Sequence, residues 1–167
     1  KRRLMKKIFL VALASAVAFT MVGCKGTNEK RGDEHLKEGR FRNAINSYIE
    51  AKKKGNMSSE FFDNFTLALV RAADVEAKKD INSDLLSGYF DKASDNLPEV
   101  KNQEVLQEFA TTMANIGKLQ ASQDGVDYGT IVNAFAKIDS AMAIAKRSGV
   151  ATSAIQSIRT EADNNYV

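Results

Sequence analysis

One cysteine and one histidine bound the chemistry this chain can carry. A lone histidine, His35, rules out a two-histidine metal site or a histidine relay within one chain. It falls in a short helical segment beside Leu36, where a surface or packing role is expected. Asp124-Gly125-Val126-Asp127 has two acids spaced as in a calcium loop. The remaining ligands and the closing glutamate are absent, so it reads as an interhelical turn. Arg31-Gly32-Asp33 spells an adhesion tripeptide within a helical stretch, where chance accounts for it. Lys52-Lys53-Lys54 is a cationic run. The favoured reading is a solvated helix end complementing its dipole, and contact with anionic lipid is the alternative. There is no glycine-rich phosphate loop and no nucleophile motif. No enzyme, metal site or cofactor is expected.

Cys24 is placed differently from a buried structural thiol. It closes residues 1–24, in which Lys1, Arg2, Arg3, Lys6 and Lys7 precede an uninterrupted apolar and small-residue run from Ile8 to Gly23. That run is about 16 residues, short of the roughly 20 that a spanning helix needs. A positive start, an apolar centre and small residues at the end are the layout of a secretory signal. Met5-Lys6-Lys7 reads as the natural start, with an incomplete C-terminus as an open alternative.

The ending Met21-Val22-Gly23-Cys24 resembles the lipobox of bacterial lipoproteins, with a small residue directly before the required cysteine. Leucine is commoner where Met21 stands. The resemblance implies a signal peptide over residues 1–23, cleavage between Gly23 and Cys24, lipid on Cys24, and a lipidated tether over residues 24–28. Several acyl chains, at about 0.8 kcal/mol per buried methylene, make a stable anchor. By the sorting rule of enteric-type envelopes, Lys25 after the cysteine implies the outer membrane. A membrane partner through the lipid on Cys24 follows.

The signal also explains the charge. The chain has 24 Lys+Arg, 21 Asp+Glu and a formal net charge of +3. Five of the basic residues lie in residues 1–7 and no acid occurs before Glu29, so residues 25–167 hold 19 basic and 21 acidic side chains. A nucleic-acid partner loses its electrostatic argument and is not expected.

Residues 29–167 read as one all-α domain of about six or seven helices. Thr27 or Asn28 is the expected cap of the first helix. Helices are expected over 29–38 and 41–54, broken at Gly39 and ended at Gly55. Ser58 is the expected cap of a third helix, with Phe62, Phe65, Leu69, Ala72 and Ala73 on its apolar face. Ser83 opens a fourth, carrying Leu86, Phe90 and Ala93, and Pro98 stops it. Further helices are expected over 100–122 (Leu106, Phe109, Ala110, Met113), over 128–147 (Ile131, Phe135, Ile138, Met142, Ala145) and from about residue 151 (Ala151, Ala154, Ile155, Ile158). No stretch alternates at period two.

The helix pairs share an internal pattern. Gly39, Phe41, Ala44, Tyr48 and Ala51 resemble the middle of a tetratricopeptide (TPR) repeat: a glycine turn, an aromatic two residues on, then Ala-x3-aromatic-x2-Ala. Phe62, Phe65, Thr66 and Leu69 resemble the next first helix, with Leu86, Phe90 and Ala93 on its partner and Pro98 at the terminal position. Leu106, Phe109, Ala110 and Met113, then Ala134, Ile138 and Ala141, resemble a third unit. The second and third units exceed the family's repeat of about 34 residues by about eight and a dozen. The resemblance spans roughly residues 26–160. It implies antiparallel helix pairs stacked as a short α-solenoid, in which small residues allow close approach within a pair and large ones fill the space between pairs.

Such arrays hold peptides in a groove lined by the first helix of each pair, which implies an envelope protein or peptide as partner. One subgroup clamps C-terminal carboxylates with Lys and Asn. Asn64 matches one clamp position, but Glu29, Asp33, Glu104 and Glu108 stand where Lys, Asn, Lys and Arg belong, so a carboxylate clamp is rejected. A neutral to acidic candidate groove is expected, and an assembly or interaction scaffold is the favoured function. The alternatives are a small-ligand lipoprotein, with Phe61, Phe62, Phe65, Tyr89 and Phe90 around a cleft, and a purely structural envelope protein.

Overall fold

The computed structural model describes residues 25–55 and 57–164. The expected cleavage and lipidation positions, Gly23 and Cys24, lie outside the described residues. The described chain is all-α, with seven α-helices and no strand. They are α1 (Thr27–Lys37), α2 (Phe41–Lys54), α3 (Phe61–Ala77), α4 (Asp84–Asn96), α5 (Gln103–Ala121), α6 (Tyr128–Arg147) and α7 (Ser153–Asn164), with a 3-10 turn Leu97–Glu99 after α4.

Local chemistry sets most boundaries. Gly39, Gly55, Gly125 and Gly149 take positive φ just past helix ends, a conformation glycine adopts without a Cβ penalty. Ser83 caps α4, Asn102 caps α5, and Asp127 caps α6 by accepting from Thr130 N at 3.0 Å. The Asp124–Asp127 segment is therefore the turn into α6. Pro98 sits in the 3-10 turn, where its missing N–H interrupts no α-helical ladder.

Two starts differ from the sequence expectation. α1 begins at Thr27 with Gly26 as its N-cap residue and no side-chain cap, so Thr27 and Asn28 belong to the helix and not to a free tether. Ser58 does not cap α3, whose N-cap residue is Glu60. The Ser58 hydroxyl donates to Glu29, 29 residues earlier, and accepts from Glu60 N at 3.3 Å, so it closes the turn ahead of α3 and leaves the N-cap position to Glu60.

Contacts fix the directions of the helices. Within α1–α2, Tyr48 lies across Gly32. α2 and α3 run antiparallel, with Lys52 over the Phe62 ring at 5.5 Å and Arg42 bonded to Glu76 at 2.6 Å. The first helices of successive pairs run in the same direction. Asp33 meets Asn64 across 31 residues, Arg71 meets Glu108 across 37, and Lys118 meets Glu161 across 43. The offset grows because the helices lengthen from 11 residues in α1 to 19 in α5.

The main core joins α1 to α5 through Ala44, Tyr48, Phe61, Phe65, Leu69 and Phe109. A second cluster joins α5, α6 and α7 through Ala110, Ala114, Ile138, Ala141, Ala145 and Ile155. Phe61 is the fully buried ring at the start of α3, while the expected Phe62 is half-buried. In α6 the buried face is Ala134, Ile138, Ala141 and Ala145, with Ile131, Phe135 and Met142 half-buried. In α7, Ile155 and Ile158 are buried, but Ala151 and Ala154 are exposed. Small residues win the inner positions because α5 and α6 approach so closely. A Cβ on Gly117 would stand 2.7 Å from the Ala134 carbonyl oxygen.

That backbone contact gives a prediction of sign. Gly117→Ala should lose about 1–3 kcal/mol despite alanine's better helix propensity, because the overlap is with backbone. Gly88→Ala, where a Cβ meets nothing within 4 Å, should gain up to about 1 kcal/mol. Urea denaturation of the two variants checks this. A stabilising Gly117→Ala would show that α5 and α6 have room to part.

Candidate functional site

The parallel first helices α1, α3 and α5 place their polar stripes side by side. On α3 the stripe is Glu60, Asn64, Leu67 and Arg71, recurring every three or four residues opposite the buried Phe61, Phe65 and Leu69. With Lys25, Asp33, Leu36 and Lys37 it lines a recess of about 370 Å³ between α1 and α3. A second recess, of about 510 Å³, lies between α5 and the start of α7 and is lined by Glu104, Gln107, Glu108, Thr111 and Val150, among others. Arg71 belongs to the first and Glu108 to the second. The two side chains join the recesses through a two-point ion pair, Nε–Oε1 at 2.8 Å and Nη2–Oε2 at 3.2 Å.

Asp33 is the hub of the first recess. Its carboxylate accepts from Lys25 Nζ at 2.9 Å, Tyr48 Oη at 2.7 Å and Asn64 Nδ2 at 3.0 Å. Lys25 also donates to Glu60 at 2.8 Å. The Glu60 and Asp33 carboxylates hold the Lys25 ammonium well above its usual range. Burial, reinforced by the Asp33 carboxylate, pushes the Tyr48 phenol up. The Arg31-Gly32-Asp33 tripeptide is thereby occupied: Gly32 is buried beneath Tyr48 and Asp33 has three partners.

The structure separates the acids grouped by the sequence. Asp33, Asn64, Glu104 and Glu108 line the two linked recesses. Glu29 does not: it is fully buried and accepts from Ser58 N at 3.0 Å and from the Ser58 hydroxyl. It ties α1 to the segment ahead of α3 and is not a groove residue. The basic side chains Lys37 and Arg71, and the place of Lys25 in this recess, are not expected from the sequence, although the three-to-four spacing of 60, 64, 67 and 71 is a legible signal for Arg71. The two recesses together hold three basic and four acidic side chains, one net negative charge, with the cations confined to the α1–α3 side.

The remaining expected positions serve packing. Ala44, Tyr48, Ala51, Phe65, Leu69, Phe90, Ala93 and Phe109 are buried, Phe41 packs half-buried against them, and Gly39 supplies the exposed turn. The rings proposed to line a ligand cleft do not enclose one. Phe61, Phe65 and Phe90 are core residues, Phe62 lies under Lys52, and Tyr89 borders a shallow surface recess. His35 keeps its Nδ1 buried, 3.9 Å from the Glu38 carboxylate. Among the described residues no group of three or more His, Cys, Asp or Glu side chains is arranged to hold a metal, and no helix is long and apolar enough to cross a membrane.

In comparisons with known proteins, no family model, no curated protein and no solved structure matches this chain.

Asp33→Ala strands Tyr48 Oη and Asn64 Nδ2 and leaves Lys25 with Glu60 alone. It should cost about 2–3 kcal/mol. Tyr48→Phe removes one bond to a carboxylate and should cost about 1–2 kcal/mol. Chemical denaturation measures both. An Asp33→Ala variant within about 0.5 kcal/mol of wild type would mean that solvent replaces these bonds at no cost.

Proposed function

We propose that this chain is a lipid-anchored protein of a bacterial envelope, acting as an interaction or assembly scaffold through TPR-like helix pairs. The supporting observation is the polar strip across α1, α3 and α5, with two recesses linked through Arg71 and Glu108. A strip of this kind offers side-chain hydrogen bonds and open volume to an extended peptide, while the aromatic residues are spent on the core. The lipid on Cys24 would fix position and the strip would hold the partner. The anchor reading rests on residues 1–24, whose one cysteine follows Gly23 directly. No catalytic step is assigned.

Two experiments test the two halves. Cys24→Ser should leave an unprocessed or soluble precursor; normal membrane fractionation and normal mature mass in that variant would remove the anchor reading. For the strip, a photo-crosslinking amino acid at Gln107 in intact cells should yield a discrete protein adduct. The same probe at the exposed Asp91 of α4 should not, and Glu104→Lys should weaken the Gln107 adduct severalfold. Equal adducts from both faces, or none from Gln107, would count against a groove.

A further inference from the structure

Four contacts gather one end of the helix pairs around the point where the described chain begins. Lys25 reaches Glu60 ahead of α3. Lys52, in the last turn of α2, lies over Phe62 in the first turn of α3. Asp63 accepts from the Lys101 and Asn102 amides ahead of α5, at 2.8 and 3.1 Å. Leu97 and Pro98 share a recess of about 590 Å³ with Arg147 and Ser148 at the end of α6. The starts of α1, α3 and α5 and the ends of α2, α4 and α6 therefore lie together, at what we term the proximal end.

Charge is divided between the two ends. The proximal segments 25–28, 51–60, 94–102 and 146–152 carry seven basic residues: Lys25, the Lys52–Lys54 run, Lys101 and the Lys146-Arg147 pair. Glu60, Asp95 and Glu99 oppose them within these segments and Asp63 and Glu104 in the first turns just beyond, which leaves two net positive charges at this end, with Lys53 also paired to Glu50 at 2.7 Å. All seven except Lys25 are exposed. The distal segments 37–43, 74–85 and 121–130 hold five basic and seven acidic residues.

Complementing helix dipoles does not account for the pattern. It suits Lys52–Lys54 and Lys146-Arg147, which stand at or next to helix C-terminal ends. Lys101 stands ahead of the positive end of α5, where its charge is unfavourable. Nor do the distal acids cancel the proximal charge for a partner outside the molecule. The 19 residues of α5 span about 28 Å, more than three Debye lengths at physiological salt. A surface at the proximal end feels the local excess and not the domain's net negative charge.

We propose that the proximal end docks on an anionic lipid surface. Charge complementarity argues for that occupant, as does the chain itself, since the residue before Lys25 is Cys24, the proposed acylation site. The proposal deepens the anchor reading and rests on it for placement: the lipid holds the domain at the membrane, and the basic end decides which way it faces. Juxtamembrane Lys and Arg act on anionic headgroups in this manner, within a Debye length of the surface.

The test uses the full chain, expressed in a lipoprotein-processing bacterium, extracted from membranes and reconstituted into vesicles. Ser59→Cys at the proximal end and Ser87→Cys near the distal end each carry an environment-sensitive fluorophore, read by a soluble quencher. In vesicles rich in phosphatidylglycerol the label at position 59 should be at least about threefold less accessible than that at 87. The difference should collapse in phosphatidylcholine, at high salt, and in a Lys54→Glu/Lys146→Glu/Arg147→Glu variant. Equal accessibility of the two labels on bound protein, or protection that ignores lipid charge and salt, would overturn the proposal. Mass spectrometry separates the two readings. If Cys24 carries no acyl group, the anchor reading fails; charge-dependent protection of position 59 would then still support the docking surface, and its absence would overturn that as well.

Discussion

The close approach of α1 to α2 and of α5 to α6 is the constraint on which the rest depends. Tyr48 lies across Gly32, and α6 passes Gly117 at a distance that leaves no space for a Cβ. Small residues line these contacts: Ala44 and Ala51 in α2, Ala110 and Ala114 in α5, and Ala134, Ala141 and Ala145 in α6. A large side chain fits between helices this near only where it faces a glycine, as Tyr48 does at Gly32 and Ile138 at Gly117. The other rings and branched aliphatics are displaced to the seams between pairs, where Phe61, Phe65, Leu69, Phe90 and Phe109 form the core. Each pair therefore needs its neighbour to keep its apolar surface from water.

Apolar seams tolerate sliding, and polar bonds between successive first helices set the register. Asp33 to Asn64, Asp63 to the Lys101 and Asn102 amides, Arg71 to Glu108 and Lys118 to Glu161 join α1, α3, α5 and α7 in order. Exposed ion pairs contribute little to stability on their own. Asp33 and Glu29 differ because their partners are themselves partly or wholly buried: Tyr48 Oη for one, the Ser58 amide and hydroxyl for the other. A shift of one helix turn, about 5.4 Å, would break these bonds and strand their partners.

What the sequence made legible follows from the range of the interactions involved. The spans 41–54 and 128–147 coincide with α2 and α6 because their limits are local: Gly39 and Gly55 at one, Asp127 and Gly149 at the other. Ser83 caps α4 for the same reason. The starts of α1 and α3 were not legible because neither has a side-chain cap: Gly26 and Glu60 hold the N-cap positions, and Ser58 closes the turn before α3 while donating to Glu29 across 29 residues, a partner no local window contains. Periodicity found the buried stripe of α3 but chose Phe62 over Phe61, because two adjacent phenylalanines satisfy the same pattern and only the neighbouring Tyr48 and Phe65 rings decide between them. At the candidate site, Asp33, Asn64, Glu104 and Glu108 line the two recesses. Glu29 shares the face of Asp33, but one turn earlier that face is already the seam with the segment ahead of α3. Lys37 and Arg71 carry no local signal of their own, since their place in the recess follows from how α1 and α3 pack.

The strip and the basic end are related by geometry. The strip crosses α1, α3 and α5 roughly perpendicular to their axes, while the charge division runs along those axes. With the proximal end toward a membrane, the strip lies parallel to the surface, and a bound peptide would run along the membrane instead of away from it. α1 and α5 also differ in length, 11 against 19 residues. At 1.5 Å per residue the strip is about 16 Å tall at the α1 side and about 28 Å at the α5 side. The Lys25–Asp33–Asn64 recess thus lies on the short side, next to the start of the described chain, and the Glu104–Glu108 recess lies on the tall side. The acidic recess itself sits low, since Glu104 and Glu108 stand in the first two turns of α5, within about 9 Å of the proximal end. On the proposed orientation, a partner segment with basic residues would be drawn both to the anionic surface and to Glu104 and Glu108, and the two attractions would compete for the same charges.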